Sequence, residues 1–201
     1  MNRREALKQS GMILGYTLSA STLSQLWTSC KSVPALDWQP QFFSEAQAQT
    51  VSALAEAILP RTDTPGARDL QVDRFIDVMV KNIFSEKDQQ AFVAGLQQFE
   101  EACQKSTGSG FAELSAEKQE AFLLEQEKVS NPVNHAVWGE AVGEKKPVPF
   151  YRQLKAMVIS VYFSTEEIGK NHLTYEPVPG ELRGCMPLSE VGDGSGKAYS
   201  L

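Results

Sequence analysis

The sequence predicts an all-α fold: a small domain of about five helices with an irregular C-terminal arm. Apolar residues recur at three- and four-residue intervals in five stretches between Ser44 and Phe163, and Pro or Gly marks most of the breaks between them. No internal repeat or alternating strand series appears. With 201 residues and 42% hydrophobic content, the chain can build one cored domain once a targeting segment is set aside. The expected boundaries are 1–30 for a signal peptide, 31–43 for a linker, 44–172 for the helical domain and 173–201 for the arm.

The first helix begins at a capping box, Ser44 with Gln47 three residues on, and keeps Ala46, Val51, Leu54, Ala55 and Ile58 on one face until Pro60 stops it. Pro60 to Arg68 is a turn-forming loop, because Pro65 and Gly66 exclude a continuing helix. The second helix rests on Val72, Phe75, Ile76, Met79, Val80 and Ile83, a stripe broad enough to predict a core helix. Ser85 caps the third, where Glu86 and Asp88 meet the positive end of the helix dipole and Phe92, Val93, Leu96 and Phe99 face inward. That helix fades by Gly108-Ser109-Gly110.

A fourth helix is expected from Ser115 to about Val129, resting on Ala121, Phe122 and Leu124, with Asn131-Pro132 ending it; from there to Pro149 the signals are weak. The fifth, from Phe150 to Phe163, is apolar nearly all round and so should be central. Val158, Ile159 and Val161 would suit a strand, but the length and the Arg152, Lys155 spacing favour a helix. Beyond His172 the chain is rich in Pro and Gly and has little means of burying itself, so it is expected to lie on a partner.

The N-terminus reads as an address. A basic start with the pair Arg3, Arg4 precedes an apolar run from Met12 to Ala20 and small or polar residues up to Cys30, which is the order of a signal peptide. The arginine pair points to the twin-arginine route, used by proteins exported already folded, with a general secretory signal as the plainer reading. Cys30 is a candidate lipidation site, although Trp27 stands where a lipobox prefers Leu; a free or buried thiol is the alternative. An acylated Cys30 would tether the chain to a membrane without spanning it. In an oxidising compartment Cys103 and Cys185 are a candidate disulfide, either with each other or from one of them to another chain. With no Cys-x-x-Cys, a zinc or iron-sulfur site built from this chain alone is not supported.

A net charge of −6 and a pI near 5.1 argue against nucleic acid, which needs a clustered basic face. A mean hydropathy of −0.28 argues against a polytopic membrane protein. Only His135 and His172 titrate near neutrality, and neither sits in a nucleophile or metal constellation. No glycine-rich phosphate loop offers a site for FAD, NAD or ATP.

Asp63-Thr64-Pro65-Gly66 has the look of an aspartic protease loop, but that chemistry needs a second carboxylate and the sequence has no second copy. Glu166, Glu167, His172 and Glu176 straddle a helix end without fixed spacing and read as a solvated acidic end. Pairing of Asp63 with Arg68, and of Arg74 with Asp73 or Asp77, would contribute only about 0–1 kcal/mol each. The residues themselves therefore predict no catalytic, cofactor-binding or metal site in this chain.

Four segments carry a resemblance: Ala55 to Ala67 (AEAILPRTDTPGA), Val72 to Asp77 (VDRFID), Tyr162 to Gly169 (YFSTEEIG) and Tyr175 to Gly180 (YEPVPG). In order and spacing the chain resembles the gluconate 2-dehydrogenase subunit 3 family over about residues 44–186. The proline loop and the Tyr-x-Pro-x-Pro-Gly tail are the specific parts.

The resemblance implies a non-catalytic small subunit in the periplasm or cell envelope, with a twin-arginine signal that also carries its partner out. That partner would be a large flavoprotein of the glucose-methanol-choline type holding FAD and substrate, often joined by a third subunit with haem c. It also implies that Pro60, Asp63, Thr64, Pro65, Gly66, Tyr175, Pro177, Pro179 and Gly180 are motif and partner-contact positions. The lipid anchor at Cys30 departs from the commonest members, and no residue indicates the sugar or alcohol oxidised. The competing expectation is a stand-alone exported binding lipoprotein or small enzyme using the proline loop and His172, which would need an apolar pocket with convergent polar groups.

Overall fold

The computed structural model describes residues 35–129, 136–137, 140–141, 148–174, 185–190 and 197. Five helices carry the fold: α1 (Glu45–Ile58), α2 (Val72–Ile83), α3 (Glu86–Thr107), α4 (Ala116–Val129) and α5 (Phe150–Phe163). Short 3₁₀ turns lie at Phe111–Glu113 and Leu188–Glu190, and a π-turn at Ile168–His172. The strand pair is minimal: β1 (Ala136–Val137) runs antiparallel to β2 (Glu140–Ala141), with Ala136 opposite Ala141. Two-residue strands are too short to show alternation, which is why the sequence does not reveal them. Arg3, Arg4, Cys30, His135, Tyr175, Glu176, Pro177, Pro179 and Gly180 lie outside the described residues.

Local chemistry sets the helix ends. Ser44 Oγ accepts from the Gln47 amide while Gln47 Oε1 accepts from the Ser44 amide, so two orphan donors of α1 are satisfied reciprocally. Pro60 disfavours a helical Leu59, which adopts φ −130° and ψ 78° and ends the helix. Ser85 Oγ caps α3 through the Asp88 amide, and Gly108 closes that helix at φ 78°, a left-handed conformation that favours glycine. The other glycine of α3, Gly95, sits mid-helix because a Cβ there would come within 2.7 Å of the Phe150 ring.

As its apolar surface predicts, α5 is central and packs against α1, α2, α3 and α4. Its Leu154 and Val158 are fully buried with Leu54 of α1, Ile76 of α2 and Leu96 of α3, and burial of such a side chain contributes about 1.5–3 kcal/mol. Phe43, Phe92, Phe150, Phe99, Phe111 and Phe122 continue the core as rings whose successive centroids lie 5.1–6.2 Å apart. Glu127 of α4 meets Lys155 at 3.0 Å and Arg152 at 3.5 Å, joining α4 to α5 across a partly exposed seam.

Parts of the expected apolar faces are exposed instead. On α2, Phe75 is 55% and Ile83 72% exposed, because the helix lies at the surface and its core face is Val72, Ile76 and Val80 with Met79 packed beside them. On α4 it is Leu123 that is buried beside Phe122, while Ala121 and Leu124 are exposed, as is Ala46 at the start of α1.

Residues 36–43, the last part of the segment read as a linker, lie against the helical body. Leu36, Trp38 and Phe42 pack on the core and Phe43 enters it. The amides of Gln41, Phe42 and Phe43 donate to the carboxylate of Asp77 at 2.7, 3.1 and 2.9 Å. Asp77 is fully buried, and three backbone donors are what allow an acid to sit there.

Candidate functional site

The proline loop between α1 and α2 is held from three directions. From α1, one oxygen of the Glu56 carboxylate accepts the Arg61 amide at 3.2 Å and the other accepts the Arg68 amide at 3.1 Å, so a single side chain spans both legs of the loop. From within the loop, Asp69 Oδ2 accepts the Gly66 amide at 2.9 Å and Asp69 Oδ1 meets Arg61 at 3.4 Å. From α5, the Tyr162 hydroxyl donates to the Pro65 carbonyl at 2.8 Å and lies 3.3 Å from Thr64 Oγ1. Backbone bonds complete the turn, from Thr62 to Thr64, Ala67 to Leu59 and Val72 to Ala67.

Gly66 is required sterically. A Cβ there would stand 2.7 Å and 2.9 Å from the two Glu56 oxygens and 2.8 Å from the Arg61 amide nitrogen. Thr64 and Pro65 are half-buried, Gly66 is buried, and Pro60 and Asp63 are exposed at the rim. The loop thus spends its polar side chains on its own backbone. Its ion pair joins Arg61 to Asp69 rather than Asp63 to Arg68. Likewise Arg74 turns away from Asp77: its guanidinium reaches Gln71 Oε1 at 3.2 Å and lies 6.0 Å from the Trp38 ring centre.

Just beyond the C-terminal end of α5, Lys170 donates to Glu166 at 2.6 Å and holds its carboxyl below the usual carboxylate range. Glu167 accepts from Asn171 at 2.9 Å and stands 3.9 Å from His172 Nε2. Among the described residues no group of three or more His, Cys, Asp or Glu side chains converges on a point where a metal could sit. A cleft of about 550 Å³ near the N-terminal segment is lined by Leu36, Trp38, Pro40 and Phe43 with Asp37, Gln39 and Glu45, so it offers carboxylates but no imidazole, thiol or amine.

Lys197 returns to this end of α5, its carbonyl accepting from Thr174 Oγ1 and its ammonium donating to the Asn171 carbonyl, both at 3.0 Å. Cys103 and Cys185 are both free thiols, the first buried on α3 and the second exposed. Burial pushes the Cys103 thiol above its ordinary pKa, nearby Glu100 adds to this, and a hydrogen bond with Thr107 opposes it. Among the described residues no helix is long and apolar enough to cross a membrane.

The loop stands out in the sequence, but the roles of the groups that hold it do not. Glu56, Asp69 and Tyr162 are as important to its shape as the prolines. One signal was available for Glu56, a carboxylate one helical turn ahead of a loop that cannot satisfy its own amides. Tyr162 opens one of the segments that carry the resemblance, but nothing near it points to its partner 97 residues away.

The profile of the family described as gluconate 2-dehydrogenase subunit 3 matches residues 45–180, more than half of the chain and both of the segments that enclose the loop. No curated protein matches the chain, and no solved structure matches it.

Proposed function

This chain belongs to the gluconate 2-dehydrogenase subunit 3 family, and from that membership we propose that it is the non-catalytic small subunit of a periplasmic FAD-dependent dehydrogenase of the glucose-methanol-choline type, acting on a sugar or alcohol. The observation that carries the proposal is the family match over residues 45–180. It is supported by the way the motif residues are used. Glu56, Asp69 and Gly66 hold backbone, and Tyr162 ties the loop to α5, so the most specific part of the sequence shapes a scaffold.

In this reading the large partner holds FAD and the substrate, and a third subunit with haem c receives the electrons. The pair Arg3, Arg4 directs export of the partner after it has folded around its flavin, and Cys30 is the lipid attachment point. The tail with Tyr175, Pro177, Pro179 and Gly180 contacts the partner, together with the exposed rim of the proline loop at Pro60 and Asp63.

The test is affinity purification of this protein from its native envelope, with mass spectrometry and a visible absorbance spectrum of what accompanies it. A large co-purifying chain with flavin absorbance is the expected result. A lone, colourless protein under gentle conditions would overturn the subunit reading in favour of a stand-alone lipoprotein.

A further inference from the structure

We propose that the larger catalytic partner docks on the apolar flank of α2 formed by Phe75, Met79 and Ile83. This deepens the subunit reading and rests on it. The three residues follow at i, i+4 and i+8 and so line one side of the helix. Phe75 is 55% exposed, Ile83 72% exposed, and Met79 between them is partly buried.

Two other sides of α2 are already engaged. Its inner strip of Val72, Ile76 and Val80 is in the core. The flank roughly half a turn from Phe75 is covered by the chain's own residues 38–43: Arg74 lies by Trp38, Asp77 takes three amides, and Lys81 donates to Gln41 at 3.2 Å. The outward positions of α3 and α4 are of another kind. Gln90, Gln97 and Glu101 stand on the first, and on the second exposed Leu124 is set among Glu120, Glu125 and Lys128. Aromatic residues and Met with few charges are the composition of a protein interface core, and the Phe75 stripe contains no charged residue.

The occupant follows from the geometry and the family. Among the described residues, Trp38 lies by Arg74 on the opposite flank and Lys197 is tied to Asn171 and Thr174. A second copy would bring together two chains of net charge −6 each. A subunit family supplies a larger catalytic chain instead. The family's proline loop also fixes where this stripe points. The loop clamped by Glu56, Asp69 and Tyr162 ends at Gln71, whose left-handed φ of 56° turns the chain into α2 one helical turn before Phe75.

The test co-expresses the full chain with its flavoprotein partner and compares wild type, Phe75→Glu with Ile83→Glu, and the control Gln90→Glu on the outer face of α3. Wild type and control should retain the flavoprotein equally. The double variant should retain at least about tenfold less flavin absorbance while melting as wild type does. Full retention by the folded double variant overturns this docking surface and leaves the subunit reading standing. Failure of wild type itself to retain a flavoprotein overturns the subunit reading, and the docking proposal falls with it. Photo-crosslinking from position 75 gives a second readout should the double variant not fold: a crosslink to the flavoprotein is expected, and a crosslink only to another copy of this chain overturns the proposal.

Discussion

The Tyr162 hydroxyl donates a 2.8 Å hydrogen bond to the Pro65 carbonyl, joining the last turn of α5 to the proline loop across 97 residues. Tyr162→Phe removes that bond and leaves the ring, so it should cost about 1 kcal/mol of stability. Trypsin should also cut faster at Arg61 and Arg68. Denaturant melts and timed digestion check both, and an unchanged cleavage rate would show that the loop is held without Tyr162.

The contact between Gly66 and Glu56 predicts strong coupling. Gly66→Ala drives a Cβ into the Glu56 carboxylate and should destabilise by about 1–3 kcal/mol. Glu56→Ala removes two of the three colliding atoms, so the double variant should lose less than the sum of the singles. Additivity in urea unfolding would place the strain elsewhere.

Asp77 should be among the most sensitive acids in the chain. Asp77→Ala leaves the amides of Gln41, Phe42 and Phe43 without their acceptor and should cost roughly 3–5 kcal/mol. Residues 36–43 should then exchange their amide hydrogens faster while the α5 core stays protected. A loss below about 1 kcal/mol in urea unfolding would contradict a holding role for this carboxylate.

The two thiols should separate by reactivity. Cys185 is exposed and should react with maleimide at neutral pH within the native protein, whereas Cys103 should react only on unfolding. Because burial raises the folded pKa of Cys103, its neutral form favours the native state below the ordinary thiol value. That contribution is lost as pH rises through the elevated one, so Cys103→Ala should flatten the alkaline fall in stability. Equal labelling rates for the two thiols would contradict this.

Export is tested at the other end of the chain. Arg3→Lys with Arg4→Lys should leave both this protein and the proposed flavoprotein partner in the cytoplasm. Fractionation with flavin absorbance of the envelope reads the outcome, and continued export of the partner would remove the carrier role.

What the sequence determined by itself was local. Ser44 and Ser85 bond to amides three residues away, Pro60 acts on Leu59, and the 3.6-residue period places Leu54, Ile76, Phe92 and Leu154 inward, so five helices and their limits could be read from neighbouring residues alone. The proline loop could be recognised but not explained, since Tyr162 and Pro65 meet only when α5 lies against it. The tertiary structure alone decided that Asp77 serves the amides of residues 41–43 rather than Arg74, and that Leu123 rather than Leu124 is inward on α4. It also left Phe75 and Ile83 in water. The physical reason is that periodicity shows how wide an apolar stripe is, whereas only packing decides how much of that width a neighbouring element covers.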